Sequence, residues 1–159
     1  VEDVNDRQKL VVANKIIRRF GEDLSGKSFA VWGLAFKPGT DDMREAPAIY
    51  IIKELVKRGA TIKAYDPKAM DEAQHFYLKG VKGIDYLNSK YACVPDADAL
   101  ILLTEWKEFR SPDFGELKEK MKSPIIFDGR NQYGVFNLEE KGFEYYQIGV
   151  KNVKNMIFN

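Results

Sequence analysis

The sequence predicts an α/β fold: a doubly wound, mostly parallel sheet of about six strands, preceded by an amphipathic helix. Three observations carry this. Short apolar runs at 28–32, 61–66, 98–103 and 125–128 have the length and bounding turn residues of buried strands. Segments with apolar residues three and four apart lie between several of them. The connections are short, as expected of strands joined by helical crossovers.

The elements follow in order. Over residues 5–20, Leu10, Ala13, Ile17 and Phe20 recur at helical spacing while Arg7, Lys9, Arg18 and Arg19 largely occupy other faces, and Gly21 closes the helix. Residues 28–32 form the first strand. Pro47 then sits in the first turn of the next helix, where its missing N–H costs nothing, and Asp41, Asp42 and Glu45 suit the positive end of its dipole. Ala48, Ile51, Ile52, Leu55 and Val56 make its buried stripe, and Gly59 ends it. The strand at 61–66 stops at Pro67, completing a strand-helix-strand unit.

Patterning weakens beyond that point. Residues 70–78 read as helical, 83–86 as a short edge strand and 89–92 as a helical turn. The strand at 98–103, a helix over 114–121, the strand at 125–128, a helical turn at 138–141 and a last strand at 143–146 complete the domain, with 151–159 as a tail. The domain reading is therefore 1–25 as the end of a helical region, 26–150 as a Rossmann-like domain and 151–159 as the tail.

A net charge of +1 offers no one-signed basic face, so nucleic-acid binding lacks compositional support. The single cysteine and single histidine supply neither a disulfide framework nor a Cys/His zinc cluster. No apolar run is long enough to span a bilayer, and the opening residues lack the plan of a signal peptide. A cytoplasmic location is expected, and a start without Met, inside a helical pattern, suggests a piece of something longer.

In doubly wound sheets, ligands sit beyond the carboxyl ends of the strands. Here those ends carry Lys37 with Arg44, Thr104-Glu105 and Asp128-Gly129-Arg130. The first turn has backbone N–H groups expected to be unpaired, beside cationic Lys37 and Arg44, so an anionic ligand is the natural occupant. Lysine suits a diphosphate or sugar hydroxyl as a mobile point charge; arginine offers a planar fork. The turn runs Gly33-Leu34-Ala35-Phe36-Lys37 and lacks the Gly-x-Gly-x-x-Gly pattern, so close approach of a dinucleotide pyrophosphate is not indicated. Asp66 reads as a strand-end cap before Pro67, Thr104-Glu105-Trp106 as able to touch a ligand with Trp106 at least as well explained by packing, His75 as a surface residue and Cys93 as a buried structural thiol.

The stretch Gly33-Leu34-Ala35-Phe36-Lys37-Pro38-Gly39-Thr40-Asp41-Asp42-Met43-Arg44-Glu45-Ala46-Pro47, followed by Ala64-Tyr65-Asp66-Pro67, Leu103-Thr104-Glu105-Trp106 and Phe127-Asp128-Gly129-Arg130-Asn131, resembles the carboxyl-terminal, UDP-binding domain of the UDP-glucose/GDP-mannose dehydrogenase family, and within it the UDP-glucose 6-dehydrogenases. The likeness runs from about residue 4 to 150. It implies an NAD-dependent enzyme that oxidises UDP-glucose twice to UDP-glucuronate through a thiohemiacetal on a cysteine, working as a dimer or larger assembly. It also implies that the NAD-binding domain and the nucleophile belong to parts absent from this chain, which would bind without catalysing. By the same resemblance Phe36, Lys37 and Arg130 are expected at the substrate, and Arg44 reaching toward NAD. Ala46 stands where the family often has Ser, and Gly39 where Asn is common. Two alternatives stay open: the same domain of a GDP-mannose or UDP-N-acetylmannosamine dehydrogenase, and a noncatalytic binding or assembly module.

Overall fold

Period-two alternation along the strands decides the layering. In Ser28–Trp32 (β1), Phe29 and Val31 enter one core while Ala30 and Trp32 enter the other; the same division holds for Ile101 against Leu100 and Leu102, and for Phe127 against Ile126. A strand that buries both faces needs cover on both sides, which is why these runs are continuously apolar. The computed structural model describes residues 10–148. With Thr61–Tyr65 (β2), Ile84–Tyr86 (β3), Ala99–Leu102 (β4), Ile125–Asp128 (β5) and Glu144–Gln147 (β6), the strands form one six-stranded sheet in the order β3-β2-β1-β4-β5-β6. Every neighbouring pair is parallel.

One face is covered by three helical segments: Val11–Phe20 (α1), Pro47–Lys57 (α2) and Met70–Glu72 (α3), the last continuing as a π-helical turn over Ala73–Tyr77. The other carries Phe114–Lys120 (α4) and short 3₁₀ turns at Tyr91–Cys93, Lys107–Phe109 and Gly134–Phe136. Pro47 occupies the first turn of α2, and the Asp113 carboxylate accepts the Glu116 N–H at the start of α4. Trp32 stacks on Phe109 at 5.3 Å between ring centroids, anchoring the second face.

The structure corrects several expectations. Within α1 the deeply buried residues are Val12, Ala13 and Ile16, so the stripe sits about one residue round from Leu10, Ala13, Ile17 and Phe20; Leu10 and Ile17 are half-buried. Apolar side chains fill both settings, and packing of α1 against α2 and the sheet selects one of them. Asp41, Asp42 and Glu45 precede α2 on the amino-terminal side of its dipole, and its first turn itself holds no acidic residue. The 3₁₀ turn at Gly134–Phe136 was not expected, and 138–141 is a hydrogen-bonded turn. Residues 5–9 of the expected first helix and the expected tail at 151–159 lie outside the described residues. Among the described residues no helix is long and apolar enough to cross a membrane.

Candidate functional site

The strand order reverses direction between β1 and β4, and the crevice beyond their carboxyl ends is where such a sheet takes its ligands. Two glycines let the chain close up there. Gly33 has φ +100°, and a Cβ on it would lie 2.5 Å from the Thr104 backbone nitrogen. A Cβ on Gly129 would lie 2.8 Å from the Leu102 carbonyl oxygen, whose hydrogen bond from the Gly129 N–H is 2.8 Å long. Only hydrogen fits at either position.

An open cleft of about 1450 Å³ lies at this end of the sheet. Phe36 reaches it from the turn after β1, Leu103 from the end of β4, Gly129 and Arg130 from the end of β5, and Arg44 and Tyr50 from the approach to α2 and its outer face. The structure therefore brings together Phe36, Arg44 and Arg130. Lys37 is exposed on the same turn and is not among the lining residues. It lies close enough to Asp42, which does line the cleft, to add a small share to the lowering of that carboxyl.

The cations are held by carboxylates. Arg44 pairs with Asp42 at 2.9 Å, and its side chain is 80% exposed. Side-chain and then backbone hydrogen bonds from Arg44 hold the Asp42 carboxyl below its ordinary value. Asp42 holds Arg44 because its carboxylate also accepts the Arg44 backbone N–H and is thereby kept beside the guanidinium. Arg130 donates to Glu105 at 2.8 Å. Burial is the largest single influence on the Glu105 carboxyl and raises it, but the Arg130 hydrogen bond, a backbone hydrogen bond and the charges of Arg130 and Arg110 together carry the net shift downward. The Arg130 backbone is set by Asp128, only 1% exposed, whose carboxylate accepts from the backbone N–H groups of Arg130, Gln132 and Tyr133 and from the Tyr145 hydroxyl.

The expected unpaired amides of the first turn are in fact paired. Leu34 and Ala35 donate to one oxygen of Asp66 at 2.7 and 3.0 Å, and Phe36 donates to the Asp42 carbonyl at 2.8 Å. The Asp66 carboxylate does cap the segment after Pro67, accepting from Lys68 and Ala69, but it also accepts from the Trp106 indole across the crevice. Trp106 is thus both packing and a polar strut. Tyr50, 40% exposed, also lines the cleft and was not singled out from the sequence; an aromatic placed outside the helix's apolar stripe was the available signal.

Cys93 is fully buried, and burial pushes its thiol up to about 12. A neutral thiol in an apolar core is a poor nucleophile. A disulfide reagent at pH 8 is expected to leave Cys93 unmodified in the folded chain and to react within minutes in concentrated urea; rapid labelling without urea would contradict this placement. His75 is exposed.

Residues 30–135 match the UDP binding domain of the UDP-glucose/GDP-mannose dehydrogenase family, a span that includes Phe36, Lys37, Arg44 and Arg130. The chain belongs to this family. A UDP-glucose 6-dehydrogenase of Rhizobium meliloti (strain 1021) is 42% identical over 146 residues, which are 92% of this chain and 32% of that protein. The structure of a UDP-glucose dehydrogenase from Pyrobaculum islandicum superposes with a TM-score of 0.71 at 26% identity, covering 90% of this chain and 30% of that one. A UDP-D-ManNAc dehydrogenase from Pyrococcus horikoshii gives 0.66, also at 26% identity, over 89% and 30%. The chain thus corresponds to the family's UDP-binding domain and spans about a third of the length of the relatives it matches.

Proposed function

We propose that this domain holds the UDP portion of UDP-glucose for an NAD-dependent oxidation to UDP-glucuronate carried out by a larger, oligomeric cytoplasmic enzyme. The observation that carries the reading is the convergence of Phe36, Arg44 and Arg130 on one cleft at the reversal of strand order. Phe36, 47% exposed, offers an apolar surface to the nucleotide sugar; Arg130 presents a planar fork to diphosphate oxygens; Lys37, at the rim, swings in as a point charge. Binding the non-reacting nucleotide here helps orient the sugar carbon that reacts on another part of the enzyme.

The residues present do not fit a dinucleotide on the first turn, where the Leu34, Ala35 and Phe36 amides are all engaged within the chain. NAD, which supplies the hydride acceptor, is accordingly assigned to the part of the enzyme that lies outside this chain. Arg44, exposed at the cleft mouth, is the group that reaches toward it.

Calorimetry with the purified chain tests this directly. UDP is expected to bind at least about tenfold more tightly than GDP, and Lys37→Ala and Arg130→Ala are each expected to weaken UDP by roughly tenfold or more, the worth of a charge-assisted hydrogen bond. UDP-glucose with NAD should give no turnover. A preference for GDP would redirect the substrate assignment, and steady oxidation by this chain would refute the division of labour.

A further inference from the structure

We infer that Asp66 is a resident anion: its carboxylate occupies the place at the end of β1 where folds of this topology receive a nucleotide phosphate, closing that turn to dinucleotides and fixing the position of Phe36 at the adjacent cleft. The assignment of a role to Phe36 rests on the function proposed above; the closure of the turn does not.

In a Rossmann-type sheet the first strand-to-helix turn presents successive backbone N–H groups to a pyrophosphate. Here the equivalent amides are intact and point to an anion, but that anion is covalently part of the chain. One Asp66 oxygen accepts from Leu34 at 2.7 Å, Ala35 at 3.0 Å and the Trp106 indole at 3.1 Å; the other accepts from Lys68 at 2.8 Å and Ala69 at 2.9 Å. The residue is 1% exposed, so no solvent competes for these donors. A buried carboxylate without a cationic partner is stable only when hydrogen bonds replace its hydration, and these donors do so.

The rest of the turn is closed with equal care. Thr104 Oγ1 donates to the Ala35 carbonyl at 2.7 Å, and the Phe36 N–H is taken by the Asp42 carbonyl. Gly33 lies against Thr104 so closely that a Cβ could not enter. Asp66 therefore links the ends of β1, β2 and β4, and the chain direction at Phe36 is a consequence of that link. Asp66 is a positioning residue: it acts on a ligand through the turn that carries Phe36.

The test uses the 159-residue chain and amide hydrogen exchange read by NMR, with UDP affinity measured in parallel. In the wild type, the Leu34 and Ala35 amides are expected to exchange as slowly as those of β1 and to show no shift on titration with inorganic pyrophosphate or NAD. Fast exchange, or a saturable shift at these two amides, would overturn the inference without any variant. In Asp66→Gly, which leaves room for a small carboxylate, exchange at Leu34 and Ala35 should rise at least 100-fold and UDP affinity fall at least tenfold. Millimolar formate, but not chloride at equal ionic strength, should restore both. A folded Asp66→Gly whose two amides stay protected, or which ignores formate, would refute the role. Should that variant not fold, the wild-type exchange and titration decide. Failure of wild-type UDP binding would strike only the proposed function, since the amide measurements stand without it.

Discussion

Gly33→Ala is expected to destabilise the domain by about 4 kcal/mol, lowering its urea midpoint by roughly 2 M. Two penalties add at this position. The backbone has φ +100°, a conformation that L side chains rarely adopt, and the new methyl would sit 2.5 Å from the Thr104 nitrogen and 2.6 Å from its Cβ. Neither neighbour is a flexible side-chain end. Relief requires β1 and β4 to separate at the crevice, which would break the Leu103 N–H bond to the Trp32 carbonyl or the Thr104 hydroxyl bond to the Ala35 carbonyl. Gly39→Ala is the matched control: φ is +89°, yet a Cβ there meets nothing within 4 Å, so only the backbone term of about 1 kcal/mol applies. Equal losses for the two variants would show that close approach at Gly33 is unimportant.

Asp128→Ala is expected to cost about 3–5 kcal/mol and to abolish measurable UDP binding. The carboxylate is buried at the end of β5 and organises the loop that follows by accepting three backbone N–H groups and the Tyr145 hydroxyl. Removing it takes the acceptor from all four donors and leaves the Tyr133 N–H stranded in a buried setting. Burial and the hydrogen bond to Asp128 both push the Tyr145 hydroxyl upward, so it stays protonated and donating throughout the physiological range. Arg130→Ala separates the two effects. It leaves the Asp128 bonds in place and should lose UDP affinity with a stability change under about 1 kcal/mol, because its partner Glu105 is only a partly exposed ion-pair neighbour. Urea unfolding and calorimetry on the two variants give the comparison; parallel losses of stability in both would contradict the separation of framework from ligand contact.

Much of the fold was legible because its signals are local. The β1 and β4 runs could only be buried strands, and Pro47 with the following apolar stripe could only begin a helix. The cationic groups of the cleft were also legible, since they sit at strand ends in a recognisable motif. Other features were not. Val12, Ala13 and Ile16 formed the deep face of α1 where the spacing favoured Leu10, Ala13, Ile17 and Phe20, because a helix with apolar residues over a wide arc leaves its rotation to its neighbours. The amides at Leu34 and Ala35 were expected to await a ligand, because the carboxylate that takes them lies 32 and 31 residues away.

The sequence by itself determined the alternation of strands and helices, the parallel sheet, and the residue types gathered at its carboxyl edge, since periodicity and turn chemistry act over a few residues. Tertiary structure alone decided which of those residues meet. Parallel pairing sets Trp32 beside Tyr65 and Leu102, and so brings Asp66 to the amides of the first turn and the Trp106 indole to Asp66; Arg130 likewise reaches the cleft that Phe36 lines. Such meetings depend on the register and order of strands far apart in the chain, and no local pattern encodes them.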